Sequence, residues 1–266
     1  MKVPKMSLTE HLTELRKVIM VSFIAVFLVF AFTFNYSEQI FSLLTIPLKS
    51  ELTLDFTKPY IHAKEKAPIS LVFLAPGEAF WMHLKVSFIA SFILSLPIIF
   101  HQLWRFISPG LLSREKKYVL PFVFFATALF TAGAAFCFLI ILPFAMTFLL
   151  GYQTKNMVPM ISVGSYIDFC LKFILAFGAV FELPLVMIFL TRFGIVKPKT
   201  LSKNRKYAVL AAFLVGAMLT PTPDAFNQTL MAVPIIILYE VGILLSLIMQ
   251  KKAIKNSSEQ AVPSTE

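Results

Sequence analysis

The chain of 266 residues is 58% hydrophobic and only 14% charged, with a mean hydropathy of +0.81; an ordinary soluble domain carries about 25% charged residues. That composition lacks the polar surface a water-soluble fold of this length needs, and it fits lipid as the solvent. The net charge of +10 does not mark a nucleic-acid binder, because Lys and Arg fall in short segments between apolar runs rather than in one patch interleaved with aromatics.

A helix needs about 20 predominantly apolar residues to cross the hydrocarbon core. The first such run covers residues 18–34. Lys2, Lys5, Arg16 and Lys17 ahead of it have the look of a signal peptide. Glu10 and Glu14 interrupt that basic region, however, and Phe34-Asn35-Tyr36-Ser37-Glu38 offers no small-residue cleavage site, so the run reads as a retained span. The second span covers 84–104, entered through Trp81, Met82 and His83, and the third covers 118–142. Uncharged sequence continues to Tyr152, and Pro143 and Gly151 predict that the helix stops near Leu142, followed by a re-entrant segment or loop. The fourth span, 166–190, carries Asp168, Lys172 and Glu182.

The fifth and sixth spans, 207–220 and 225–250, are separated only by Pro221-Thr222-Pro223-Asp224. At 1.5 Å per residue the fifth reaches about 21 Å, short of the ~30 Å core, so the last two spans are expected as a short hairpin that thins the bilayer or is shielded by neighbours. Pro97, Pro121, Pro184 and Pro234 lie inside the other spans. They reflect either ordinary tolerance of proline in membrane helices or a bent bundle with a concave face. The expectation is an all-α, polytopic membrane domain over residues 1–250, with six transmembrane helices and no internal repeat. A polar, disordered cytoplasmic tail follows at 251–266. Of the 24 Lys and Arg, 17 fall in the segments 1–17, 105–118, 192–206 and 251–266, against 5 in the alternate loops. The positive-inside rule therefore places both termini in the cytoplasm.

Ionisable residues inside spans each cost on the order of 3 kcal/mol at mid-membrane. Asp168 and Lys172, four apart, are expected to pair along one helix face. Glu240 lies near the cytoplasmic end, where water or Lys251 is in reach. Glu182 has no basic neighbour on its own helix. It serves either as a local hydrogen-bonding group, using the Val180 carbonyl that Pro184 leaves without a donor, or as a polar docking point for another membrane helix. On the cytoplasmic side Ser7-Leu8-Thr9-Glu10 has capping-box form and starts a helix with Leu8, Leu12 and Leu15 on one face. Outside the tail, the cytoplasmic acids are Glu10, Glu14 and Glu115, each of which a neighbouring Lys or Arg can offset.

Nothing in the chain has the pattern of a catalytic or cofactor site. G-x-S-x-G, H-E-x-x-H, a phosphate-binding glycine loop and paired intramembrane aspartates are all missing. His11 and Glu14 share a helix face without a third ligand, and Cys137 and Cys170 lie in apolar runs without a CxxC partner. A binding or conduit protein is expected, with no cofactor. A small-solute or ion secondary transporter is the alternative, but that class needs two related halves and several mid-membrane ionisable groups.

Four strings carry a family resemblance. His11-Leu12-Thr13-Glu14-Leu15-Arg16-Lys17 is similar to the amino-terminal motif of the TatC family, the core of the twin-arginine protein translocase. Phe100-His101-Gln102-Leu103-Trp104-Arg105-Phe106-Ile107-Ser108-Pro109-Gly110-Leu111, followed by Glu115-Lys116-Lys117, resembles its first cytoplasmic loop. Phe177-Gly178 and Phe181-Glu182-Leu183-Pro184 resemble its fourth span, and Leu219 to Asp224 with Asn227-Gln228 its last outer turn. His101 departs from the tyrosine usual there, and the outer segment 50–70 has no matching section. The resemblance implies a bacterial inner-membrane receptor for signal peptides bearing two consecutive arginines, exporting folded proteins with the proton-motive force. It also implies TatA- and TatB-type single-span partners and a homo-oligomeric receptor complex in membrane lipid. Its signal-contacting positions fall on Glu14, Arg16, Phe106 and Glu115, its intramembrane polar residue on Glu182, its outer-loop proline on Pro47, and its partner-sensitive outer region on Asp224 and Gln228.

Overall fold

The structure is a computed structural model that describes residues 8–54, 61–65, 71–107, 119–151, 160–220 and 224–259. Helix α1 (Leu8–Asn35) is followed by the short helices α2 (Ser37–Leu44) and α3 (Ile46–Lys49). An antiparallel hairpin of β1 (Ser50–Leu54) and β2 (Ile61–Glu65) comes next, in the register Ser50 opposite Glu65. Strand β3 (Leu71–Val72) leads into the long helix α4 (Glu78–Ile107). Helix α5 (Val119–Phe136) passes through a π-helical turn, Cys137–Ile141, into α6 (Leu142–Gly151). Strand β4 (Ile161–Ser162) pairs in parallel with β3 and opens α7 (Val163–Phe181), which is succeeded by α8 (Leu183–Arg192) and α9 (Pro198–Lys203). Helices α10 (Arg205–Leu219) and α11 (Ala225–Glu259) close the chain.

Among the described residues, five helical runs are long and apolar enough to cross a membrane: Thr9–Asn35, Glu78–Ile107, Val119–Gly151, Val163–Arg192 and Ala225–Gln250. Helix α10, with 15 residues, is shorter than these. The chain is a multi-pass helical membrane protein, and its outward faces suit lipid: Ile19, Met20, Phe23 and Phe27 of α1 are each more than half exposed.

Two of the long runs differ from the expected shape. The third does not stop near Leu142 but continues helically to Gly151. Pro143 cannot donate a backbone hydrogen bond, and its ring crowds the preceding turn. The wider π turn just before it, in which the Leu142 N–H donates to the Cys137 carbonyl, absorbs that misfit without ending the helix. The fourth run is broken at Glu182, two residues before Pro184, where the chain passes from α7 to α8. At the carboxyl end, α11 continues through Glu259 into the segment expected to be a disordered tail.

The main core gathers around α7, where Ile167, Phe173 and Phe177 are almost fully enclosed with Val86 of α4 and Ile141 and Leu142 of the third run. Glycines set the spacing of α5 and α7: a Cβ at Gly178 would fall 2.5 Å from the Phe130 ring, and one at Gly133 would fall 2.6 Å from the Phe177 carbonyl oxygen. Against α4, the Thr33 hydroxyl of α1 donates to the Ser87 carbonyl at 2.9 Å, beside a stripe of buried Ser87, Ser91 and Ser95. Cys137 and Cys170 are free and buried, as their apolar settings suggest.

Among the described residues, Asp168 and Glu240 each form an ion pair between helices rather than along one. Asp168 takes Lys85 of α4 at 2.7 Å, not Lys172. Glu240 accepts from Arg205 of α10, with nitrogen–oxygen distances of 2.7 and 2.9 Å, and the side chain of Lys251 lies outside the described residues. A forked guanidinium pairs with both carboxylate oxygens at once, which a lysine further along the same helix cannot do.

Candidate functional site

The first turns of α1 lie beside the last turns of α4, and a cavity of about 140 Å³ opens between them. Thr13, Glu14, Lys17 and Val18 line it from one face of α1, and Gln102, Arg105 and Phe106 from one face of α4. These are the i, i+3 and i+4 positions that a helix projects together. One carboxylate oxygen of Glu14, Oε2, is buried without a hydrogen-bond partner. The offset by Lys17 three residues on does not take the form of an ion pair among the described residues. The Phe106 ring is stacked on His11 with centroids 4.3 Å apart, and Gln102 is buried. A carboxylate oxygen lacking a donor, beside an aromatic ring and a side-chain amide, matches a planar guanidinium, which both donates in a fork and stacks.

Glu14 and Phe106 are thus brought together, and Arg16 is not: it is exposed on α1 and does not line the cavity. Glu115 lies outside the described residues. Gln102, Arg105 and Thr13 join the site without having been singled out in the sequence, although all three stand inside the motif strings. Their α4 and α1 faces become evident only once the two helices are packed. Leu12, expected on an apolar face, is 63% exposed.

Glu182 occupies the break between α7 and α8 with its Oε1 buried and unpartnered. Pro47 is among the most deeply buried residues, inside α3 and next to buried Leu48, so in this fold it packs rather than faces solvent. Asp224 caps α11: its Oδ1 accepts from the Asn227 N–H at 2.7 Å and its Oδ2 from the Asn227 side chain at 2.9 Å. Gln228 ties the last two helices together by donating to the Phe213 carbonyl at 3.0 Å.

At the opposite end of the bundle a second carboxylate organises the chain. Glu78 accepts from the backbone N–H groups of Leu74 and Gly164, each at 2.7 Å, and from the Ser162 hydroxyl. It joins the start of α4 to the β3–β4 pair and the start of α7. Tyr166 adds a bond to the Leu44 carbonyl at 2.6 Å. The sequence carried no signal for either, since each links segments more than 80 residues apart. Among the described residues no cluster of His, Cys, Asp or Glu is arranged to hold a metal ion.

A sequence profile described as Sec-independent protein translocase protein (TatC) matches residues 10–234. The Sec-independent protein translocase protein TatC of Desulforapulum autotrophicum is 40% identical over 256 residues, 96% of this chain and 89% of that protein. Its counterpart in Carboxydothermus hydrogenoformans is 39% identical over 247 residues, 93% of this chain and 95% of the relative. A crystal structure of the twin arginine translocase receptor TatC superposes with a TM-score of 0.73 at 35% identity, covering 90% of this chain and 98% of that one. A second, in DDM, gives 0.75 at 36% identity, covering 89% and 99%.

Proposed function

The chain belongs to the TatC family of Sec-independent protein translocase components, and from that premise we propose that it is the subunit that receives twin-arginine signal peptides. The observation that carries the reading is the cavity between α1 and α4, where Glu14 presents a buried oxygen without a donor next to Phe106 and Gln102. An arginine side chain satisfies that oxygen through a charge-assisted bond and lays its plane on an aromatic ring. A lysine offers neither the fork nor the plane. Glu115 takes the neighbouring arginine from the loop, and Arg16 acts from the exposed side of α1, on the signal peptide beyond the pair or on lipid phosphate.

In this reading α10 crosses as a short sixth span within a single domain over 1–250, and the basic end that holds Glu14 faces the cytoplasm. Glu182 offers a hydrogen bond to a TatA- or TatB-type helix, with Asp224 and Gln228 shaping the outer contact. Copies of the chain assemble within the receptor complex, and the proton-motive force drives passage of the folded cargo. The protein acts as a receptor and conduit, without a reaction of its own.

The test is photo-crosslinking in membranes from p-benzoylphenylalanine in place of Phe106, with a twin-arginine signal peptide and a twin-lysine control. The expected outcome is a crosslink to the arginine peptide that is lost with the lysine pair. Equal crosslinking to both, or to neither, moves recognition away from this cavity.

A further inference from the structure

Helix α7 turns one narrow face outward, and that face lacks the residues that lipid selects. Its exposed positions are Ser165, Lys172 and Ala179, seven residues apart and therefore on one side of the helix, with the partly buried Asp168 and Ala176 between them. No large apolar side chain of α7 is exposed, whereas α1 turns Ile19, Met20, Phe23 and Phe27 outward. Lys172 forms no ion pair among the described residues. Asp168, one turn before it, is held by Lys85 of α4 at 2.7 Å. Glu78, at the head of α4, is engaged by Leu74, Gly164 and Ser162, and Glu182 lies ten residues further on, about 15 Å along the axis. Lys85, Asp168 and Lys172 therefore leave one positive charge in excess on two helical runs that are long and apolar enough to cross a membrane.

We propose that this face of α7 docks a membrane helix of a partner protein that carries one carboxylate at the depth of Lys172. Charge sets what the partner must bring: one carboxylate makes the row of Lys85, Asp168 and Lys172 neutral, in a medium where an uncompensated ammonium is costly. A second copy of the chain inserted the same way cannot do this, because a two-fold contact sets like residues at like depth and doubles the excess. Depth argues against a lipid headgroup. Trp81, 61% exposed and three residues into α4, marks the membrane interface, and Lys85 lies one turn deeper. The ion pair sets Asp168 level with Lys85, and Lys172 follows a further turn on. Side chains lean toward the N-terminus of their helix, so the Lys172 ammonium climbs back to the level of Asp168 and stays a turn short of the headgroups. Ser165, Ala176 and Ala179 on the same face are small enough for a second backbone to approach closely, as contacts between membrane helices require. The contact goes beyond the receptor reading and involves neither the Glu14 cavity nor Glu182.

The probe is a biotinylated synthetic helix of about 20 leucine and alanine residues, with a single Glu two turns from one end. It is reconstituted with the full-length protein in phosphatidylcholine vesicles at neutral pH, with p-benzoylphenylalanine in place of Ala179 as the photo-crosslinker. The crosslink yield is expected to be about fivefold higher for the Glu helix than for the same helix with Gln, the size of an interhelical polar contact in a membrane. Lys172→Gln should abolish that difference and Lys172→Arg should keep it. Lys172→Glu should reverse it, in favour of a helix with Lys in place of the Glu. Gel filtration in detergent establishes that each variant is folded, with the crosslinker at Ser165 if the Ala179 variant is not. Equal yields for the Glu and Gln helices, or a preference that survives Lys172→Gln, overturn the site, and the ammonium is then met by water or lipid. No crosslink to any of the helices means that the face is closed to a partner helix, and overturns it as well.

Discussion

Two carboxylates, Glu14 and Glu182, each have an oxygen that is buried without a partner among the described residues, and the function proposed above gives each a role. Glu14 keeps Oε2 buried and unpaired in a cavity wide enough for one flat side chain. Glu14→Gln keeps the shape and removes the charge, so it should weaken binding of a twin-arginine peptide about tenfold or more, the equivalent of 1.5–3 kcal/mol for a hydrogen bond to a charged group. Fluorescence anisotropy of a labelled peptide with the detergent-purified protein measures this, and an unchanged affinity would take Glu14 out of the site. Glu182 is different because it sits in the break between α7 and α8, with its Oε1 buried and without a partner among the described residues. Glu182→Leu should therefore raise the melting temperature of the isolated protein, since a buried polar group without a partner costs about 1–3 kcal/mol. The same variant should reduce co-purification of a single-span partner, because interhelical hydrogen bonds in membranes contribute about 0.6–2 kcal/mol. Higher stability with undiminished co-purification would leave Glu182 without a role in partner binding.

Among the elements, the close crossing of α5 and α7 is where small changes have the largest reach. Gly178→Leu places a branched side chain where even a Cβ would meet the Phe130 ring at 2.5 Å. Helix separation there should cost several kcal/mol by overpacking, seen as loss of the monodisperse peak in detergent gel filtration, whereas Gly151→Leu, with nothing within 4 Å, should leave it intact. The positions of the long helices were legible in the sequence because lipid demands long apolar runs, and α10 is as short as expected, whereas α11, expected as the other arm of a short hairpin, runs 35 residues. What escaped depends on three-dimensional neighbours. A proline at 143 ends a helix or bends it through a π turn according to the packing around it, and here Leu142 and Ile141 are locked in the core. Asp168 invites Lys172 because i to i+4 spacing is the only proximity a sequence displays, and Glu240, near the end of its span, points to water or Lys251. Their real partners, Lys85 and Arg205, lie 83 and 35 residues away. The same limit applies to the candidate site: Glu14 and Phe106 were readable as motif members, but Gln102 and Arg105 gained meaning only from the antiparallel packing of α1 on α4.

At the scale of the whole molecule the two ends are built differently, and the membrane has to accommodate both. One end holds the Glu14 cavity and the arginines 105, 192 and 205, while the other is closed by the Glu78 network and the strand pair of β3 and β4. Helices α1 and α4, with 28 and 30 residues, reach through both. Helix α10, with 15 residues, rises only about 22 Å and is followed at once by the capped start of α11. If α10 crosses as the short span proposed above, Asp224, Asn227 and Gln228 are held at a depth that would be hydrocarbon in a bilayer of even thickness. Polar side chains at that depth are costly, and fractions of a kcal/mol per Å suffice to thin the bilayer locally. Met218, in the last turn of α10 and 85% exposed, reports which way the balance falls. A spin label at Met218→Cys in reconstituted vesicles should be relaxed more by a water-soluble nickel chelate than by oxygen, with the order reversed for Leu210→Cys two turns deeper. If oxygen dominates at both positions, the bilayer keeps its full thickness around the hairpin, and the polar turn must instead be covered by a neighbouring chain.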